Sequence, residues 1–510
     1  MLCIALMTLQ NLDLQLLEYD IINTFSLEIF LGWATLFLLV WILILQNRKD
    51  LGYLALNTNV KWVTVLVILL ALFICYFSSL ANFTWLPMRA ALILDAFSFN
   101  TRVITLVTSL LYFLIVSSFI KENPSSANEL CSLILLSIIS LVILTCVNDF
   151  LCLFMCIELQ SLSFYVLACF RKKSDFSIEA GVKYFITGAI ASCMMLFGIS
   201  LIYGITGTLN FVEIKQIVLS MSVSKLTDIT AHNTATYVSL HLGILFLMSA
   251  LFFKLGVAPL HFWLPDVYEG SPTYVTAFFA LVPKVALLVI VTRLLFDVFE
   301  PLQIIWQPIL LQLSIISVFV GTIGAIYQRR IKRLLAYSTI GHNGFLVLAL
   351  ASVNQEGLNA LIVYITIYIL TSACIFLFVL NVRERGVSVE NPTFYEARGI
   401  IKTNPLLGLC LALPLFSLAG IPPFVGFIAK YQMFLAAVHS GYVLTSIVLV
   451  VVSVIACYYY IRFTKVHFFE SSHLIWNKTI SRETSICFSV CCCLLFLLSL
   501  LPRFFSVFVL

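Results

Sequence analysis

The chain has 510 residues, of which 62% are hydrophobic and 10% charged, and it carries a net charge of +5. Soluble domains carry about 25% charged residues, so this chain cannot cover a water-exposed surface and takes lipid as its solvent over most of its area. The small basic excess is not clustered as a nucleic-acid footprint would be.

In chain order, residues 1–20 hold no Lys or Arg. An Arg-rich presequence or a signal peptide with a basic start is therefore not expected, and synthesis inside the compartment of residence is. A membrane-crossing helix needs about 20 apolar residues. Fourteen stretches qualify: 24–46, 62–84, 101–120, 129–147, 150–170, 180–204, 237–260, 273–297, 305–327, 334–353, 357–381, 405–439, 442–464 and 485–509. The runs are continuous rather than alternating, which predicts helices that satisfy their own backbone bonds, not a barrel. The expected fold is thus all-α and polytopic, with about 14 transmembrane helices. Asn148 and Asp149 alone separate the fourth and fifth stretches, a tight hairpin. The twelfth is too long for one straight helix and contains a break.

The longest polar interruption, 205–236, is short for a domain, so no soluble module is expected. The chain divides into an N-terminal three-helix segment (1–128), two five-helix units (129–300 and 305–464), and a C-terminal loop with the last helix (465–510). Each unit includes one proline-interrupted span with a lysine nearby. Five is odd, so the two units have opposite topologies, the pattern of an inverted repeat. The odd-numbered loops hold nineteen lysines and arginines, Lys61 among them, whereas the even loops hold only Arg89, Lys215 and Lys225. The positive-inside rule puts the odd loops in the matrix or cytoplasm and both termini on the opposite side.

Seven basic residues remain inside the stretches: Arg102, Lys183, Lys254, Lys284, Arg293, Lys430 and Arg503. Arg102, Arg293 and Arg503 lie where they can snorkel to a span end. Lys284 is central in its span, and Lys254 and Lys430 lie beside helix breaks. An ionised side chain at mid-bilayer costs roughly 2.5–3.5 kcal/mol, so several in one chain need a compensating role. The plainer alternative for a single buried lysine is a structural salt bridge. Glu158 is the one intramembrane glutamate expected, the ninth residue of its span, and Lys183 on the next antiparallel span is its expected partner. Snorkelling is the plainer account of Lys183. A carboxylate and an ammonium in contact favour each other's charge while desolvation opposes it, so such a pair responds to a neighbouring charge.

In FFKLGVAPLHFWLPDVYEGSPTYVTAFFALVPKVA (252–286), Pro259 removes a backbone donor and breaks the helix after Lys254. His261 then falls between Lys254 and Lys284, where an imidazole with a pKa near 6.5 can relay a proton; a satisfied core histidine is the plainer reading. His241 and His342 receive no role. The second break, near Gly420, Pro422, Pro423 and Gly426, has Lys430 just beyond it. The cysteines, as in Cys152/Cys156 and Cys491-Cys492-Cys493, lie in apolar runs without a metal-binding spacing and read as packing.

The segments ELQSLSFYVLACFRKKSDFSIEAGVKYF, FFKLGVAPLHFWLPDVYEGSPTYVTAFFALVPK, IKRLLAYSTIGHNGF and SLAGIPPFVGFIAKYQMF resemble the subunit 2 branch of the antiporter-like membrane subunits of respiratory complex I, over roughly 90–465. The resemblance implies that Glu158, Lys183, Lys254, His261, Lys284 and Lys430 match that family's proton-path positions. It implies no cofactor in this chain: NADH, FMN, iron–sulfur clusters and ubiquinone belong to partner subunits. It also implies other membrane-arm subunits as neighbours. Composition, not the resemblance, points to the mitochondrial inner membrane as the location, and the loop charges then put both termini in the intermembrane space. Two alternatives stand beside it. One is a cation/proton antiporter without redox coupling. The other is a membrane scaffold, which would gain from replacing the buried charges with leucine.

Overall fold

The computed structural model describes residues 26–46, 53–79, 91–116, 127–224, 231–381, 405–470 and 482–500, with isolated positions between 383 and 398. The expectations placed on residues 1–20, on Arg48, Lys49, Arg89, Lys121, Lys225, Lys402, Lys478 and Arg503, and on the far ends of the second, third and fourteenth stretches lie outside the described residues.

The helices in chain order are α1 (Ser26–Gln46), α2 (Tyr53–Ser79), α3 (Ala96–Ile115), α4 (Ala127–Leu144), α5 (Phe150–Ala168), α6 (Asp175–Thr206), α7 (Phe211–Ser224), α8 (Ala231–Leu255), α9 (Trp263–Gly270), α10 (Thr273–Leu281) and α11 (Pro283–Thr292). They continue as α12 (Gln303–Ile326), α13 (Ile331–Ala351), α14 (Gln355–Asn381), α15 (Pro405–Ala419), α16 (Val425–His439), α17 (Val443–Phe469) and α18 (Arg482–Leu500). A two-residue antiparallel ladder pairs Arg383–Glu384 with Val387–Ser388. Among the described residues, twelve helical stretches are long and apolar enough to cross a membrane. The fourth and twelfth expected spans are represented by shorter apolar helices, Asn128–Leu144 and Leu407–Ala419. The second of these is short because the chain breaks at Gly420. The polar interruption 205–236 holds a helix that composition did not suggest, α7, whose Lys215 pairs with Glu300 at 2.8 Å.

Burial sorts the helices into an inner set and an outer ring. The 18-residue apolar heart of the stretch Thr273–Val298 is wholly buried, that of Ile331–Ala351 is 94% buried and that of Gln355–Asn381 83%, whereas those of the other spans are 28–56% buried. A helix apolar on every face belongs inside a bundle or in lipid, and here α10, α11, α13 and α14 occupy the inside. The outer ring presents large apolar side chains such as Trp33, Phe73 and Leu444 outward, the surface a bilayer solvates.

The two expected breaks are both present. α8 stops at Leu255 and α9 starts at Trp263; α15 stops at Ala419 and α16 starts at Val425. Each closes on a glycine in the left-handed region, Gly256 (φ 76°) and Gly420 (φ 82°). Each adds a backbone bond across the turn, from Val257 N–H to the Phe252 carbonyl and from Ile421 N–H to the Phe416 carbonyl. This is the usual closure at a helix C-terminus, so FFKLGVAP and FSLAGIPP fold into the same local geometry. A third interruption was not expected. Pro283 has no N–H to give, and the helix lapses between α10 and α11, immediately before Lys284.

Ion pairs correct several sequence assignments. Arg102 does not snorkel: it is 4% exposed and pairs with Glu28 on α1. Glu158 is therefore not the one carboxylate inside the spans. Arg293 likewise is buried and pairs with Asp95 at 3.2 Å. Lys61 is not a loop charge. It lies inside α2, 1% exposed, 3.2 Å from Glu483 on α18. Removing one partner of a buried pair leaves an uncompensated charge, at about 3–5 kcal/mol, while replacing both with apolar groups is often neutral. Glu28→Leu is therefore expected to lower the unfolding temperature and the yield of assembled protein, and the double variant Glu28→Leu/Arg102→Leu to restore both. A double variant no better than the single one would show that the pair does not hold α1 to α3.

Candidate functional site

Three lysines stand apart from these pairs. Among the described residues, Lys254, Lys284 and Lys430 have no carboxylate oxygen within 4.0 Å, whereas Lys61, Lys183, Arg102 and Arg293 each have at least one. The salt-bridge explanation of a buried lysine thus holds for Lys61 and fails for the first set. Each of the three adjoins a proline-driven interruption: Lys254 precedes Pro259, Lys284 follows Pro283 and Lys430 follows Pro423.

Lys254 is the penultimate residue of α8. Its Nζ lies 3.5 Å from the Tyr165 hydroxyl. Tyr165 shares a face of α5 with Glu158 and Ser161, at the i, i+3, i+7 spacing that lines up side chains on a helix. The Ser161 hydroxyl is 3.4 Å from Glu158 Oε2, while Glu158 Oε1 is buried with no hydrogen-bond partner. Buried polar atoms are rarely left so. The Glu158 carboxylate acts electrostatically on Lys254. A cavity of about 20 Å³, lined by Gln160, Trp263, Tyr268 and Pro283 among others, joins Lys254 to Lys284. That is room for about one water.

Lys284, 4% exposed, donates to the Tyr368 hydroxyl of α14 at 2.6 Å. The Tyr368 ring lies 5.4 Å from that of His342 on α13. His342 is hydrogen-bonded at both nitrogens, Nδ1 to the Tyr364 hydroxyl at 2.6 Å and Nε2 to the Tyr460 hydroxyl at 3.0 Å. Both Lys284 and Lys430 act on it electrostatically. Lys430, 6% exposed, donates to the carbonyls of Leu418 and Ala419 at 3.0 and 2.9 Å. These are carbonyls the break leaves without helical partners, at the negative end of α15. A second cavity of about 10 Å³ joins His342, Tyr368 and Lys430.

Two expected members lie elsewhere. Lys183 does not meet Glu158. It is 47% exposed and pairs with Glu179 at 2.7 Å and with Asp266 of α9 at 3.1 Å. The buried face of α6 is formed by Ala180, Tyr184, Gly188 and Ala191, so Lys183 points out of the bundle. Asp266 and Glu269 also bind Arg333, at 3.7 and 3.1 Å, and Glu269 binds Arg330. These contacts fasten α9 to α6 and α13. His261 does not line the cavity between Lys254 and Lys284. Its Nδ1 is 3.2 Å from the Pro259 carbonyl and its ring stacks on Phe262. The histidine that does lie between two buried lysines is His342. Its sequence signal was faint: the pair Tyr364 and Tyr368, one turn apart in α14, offers hydroxyls to a facing helix.

Comparison with known proteins gives four likenesses that cover most of the chain. The family described as NADH:quinone oxidoreductase/Mrp antiporter, TM, matches residues 147–456. NADH-ubiquinone oxidoreductase chain 2 of Marchantia polymorpha is 36% identical over 478 residues, covering 93% of this chain and 94% of its own. NADH-quinone oxidoreductase subunit N of Bartonella bacilliformis is 37% identical over 414 residues, with 80% and 81% covered. A chain in the solved respiratory complex I of Thermus thermophilus with bound Aureothin superposes with a TM-score of 0.75 at 27% identity, covering 94% of this chain and 97% of that one.

Proposed function

The chain belongs to the NADH:quinone oxidoreductase/Mrp antiporter transmembrane family, and on that premise we propose that it moves protons along Glu158, Lys254, Lys284, His342 and Lys430. It is an antiporter-like membrane-arm subunit of NADH:quinone oxidoreductase, in which electron transfer and proton translocation are coupled. Partner membrane-arm subunits flank it, and the NADH, FMN, iron–sulfur and quinone chemistry is assigned to other subunits. The finer placement we propose is the mitochondrial inner membrane, on composition, with both termini on the intermembrane side, on the loop charges. The two opposed five-helix units, 129–300 and 305–464, are likewise our division of the chain, supported by the matching closures at Gly256 and Gly420.

Three buried lysines with no carboxylate within 4.0 Å among the described residues, strung between hydroxyls and an imidazole, carry this assignment. A lysine can hold or release one proton, and a hydroxyl can donate and accept at once. A proton arriving at Lys254 passes through the water-sized cavity to neutral Lys284, which hands one on toward Tyr368. His342 suits the next step because both its partners are hydroxyls. Neutral imidazole needs one donor and one acceptor, and imidazolium needs two acceptors; Tyr364 and Tyr460 meet either need by turning an O–H. Lys430 then holds the proton against two carbonyls. Glu158 sets the first step, because its charge bears on Lys254. Lys183 acts through Asp266, by positioning α9 beside Lys254. His261 is given no proton step.

Glu158→Gln fixes the control group in its uncharged form. In the assembled complex it is expected to cut proton pumping about ten-fold, the effect of roughly 1.4 kcal/mol, and to slow NADH oxidation in parallel. Pumping is read as proton uptake in proteoliposomes, after incorporation of the variant has been verified. An incorporated Glu158→Gln complex with the normal proton-to-electron ratio and turnover would remove Glu158 from the path.

A further inference from the structure

A cavity of about 280 Å³ opens between the ends of α12 and α17, lined by Arg329, Tyr458, Arg462, Lys465 and Glu470 among others. It lies where the basic odd-numbered loops gather. Arg462 donates to the Ile326 carbonyl at 3.0 Å, which fixes its guanidinium at the cavity wall. Arg329 and Lys465 are exposed. The charge of Glu470 is itself offset by Arg398, whose Nε lies 2.7 Å from its carboxylate. Toward the membrane interior the flanking surfaces turn apolar and remain uncovered, with Ile323 on α12 and Val454 and Ile461 on α17 all exposed.

We propose that this cavity binds the headgroup of an anionic phospholipid, its phosphodiester held by Arg329, Arg462 and Lys465 and its acyl chains laid along the apolar faces below. Basic pockets between transmembrane helices on the positive side suit such headgroups. A free phosphate could use the three cations, but it would leave the adjoining apolar groove unused. Tyr458 lies where the two environments meet, the position amphipathic rings favour at a membrane interface. The site is distinct from the proton path, so it stands or falls independently of that assignment.

The test uses the intact complex in phosphatidylcholine nanodiscs. It is titrated with photoactivatable phosphatidylglycerol and, in parallel, with photoactivatable phosphatidylcholine bearing the same chains. Labelled peptides are then mapped. Each surface cation contributes about a five-fold gain in binding an anionic lipid. Peptides covering residues 454–470 are therefore expected to prefer the anionic probe by about 100-fold, and Arg329→Gln/Lys465→Gln to cut that preference by about 30-fold. Equal labelling by the two probes in the unmodified complex, a comparison that needs no variant to fold, overturns the proposal. So does an unchanged preference in an assembled double variant. Labelling abolished by millimolar inorganic phosphate would also overturn it, by identifying the ligand as a free anion.

Discussion

Lys284→Met in an assembled complex is expected to abolish proton translocation and to take NADH oxidation down with it where coupling is tight. Lys284 is the group that borders the first cavity and donates to Tyr368, so its loss opens the path at its middle. A positioned proton-transfer group is worth about 10²–10⁴-fold in rate, and the thioether of Met supplies no proton. Lys284→Arg separates two roles of the lysine. Guanidinium keeps the charge but does not release a proton, so it is expected to fail like Met if Lys284 carries protons and to function if Lys284 merely supplies a fixed charge. Pumping at the normal ratio in an incorporated Lys284→Met complex would show that protons take another route. Loss of assembly alone does not test the role, which is why incorporation is measured first.

Gly426→Ala is expected to have the largest structural effect. A Cβ at this position would stand 1.8 Å from the Ser417 carbonyl oxygen, a backbone atom that cannot turn aside. The Gly426 N–H is also hydrogen-bonded to the Ser417 hydroxyl at 3.1 Å. α15 and α16 must therefore separate, at a cost of about 3 kcal/mol or more, and the subunit is expected to be missing from the complex on native gels. Gly420→Ala should differ in kind. Its φ of 82° strains any larger residue, at about 1–2 kcal/mol, but the added Cβ meets the flexible Lys430 side chain, with Cδ at 2.9 Å. An assembled complex with impaired pumping is the expected outcome. A Gly426→Ala complex of normal stability would mean that the close crossing at Ser417 is not required.

The lysines of the proposed path are legible in the sequence because an apolar run gives a charge nowhere to hide and prolines mark where helices stop. Lys254 and Lys430 carried both signals. Lys284 carried the first, but its proline, in VPK, gives no clear signal because a proline within a long apolar stretch is compatible with a continuous span. Errors arose where phase or distant partners decide. Lys183 and Glu158 were paired by depth along adjacent helices, but side-chain direction depends on rotation about the axis, and Lys183 falls on the outward face of α6. Lys61 looks like a loop charge in the sequence because its partner, Glu483, is 422 residues away. Arg102 and Glu28 were missed as a pair for the same reason. His342 lies in a helix that carries little pattern, and its significance comes from Tyr364, Tyr368 and Tyr460 on two other helices. Nothing local announces that convergence.

The hydrogen bonding around His342 has a consequence for direction. Hydroxyls flank the imidazole on both sides, and an O–H that donates one way can accept the other way after a simple turn. As a segment of the proposed path, this stretch has no built-in rectifier and would conduct as readily backwards as forwards. Vectorial transport must then come from whatever opens and closes the two ends in sequence. The same segment should serve when an imposed proton gradient drives electrons back from quinol toward NADH.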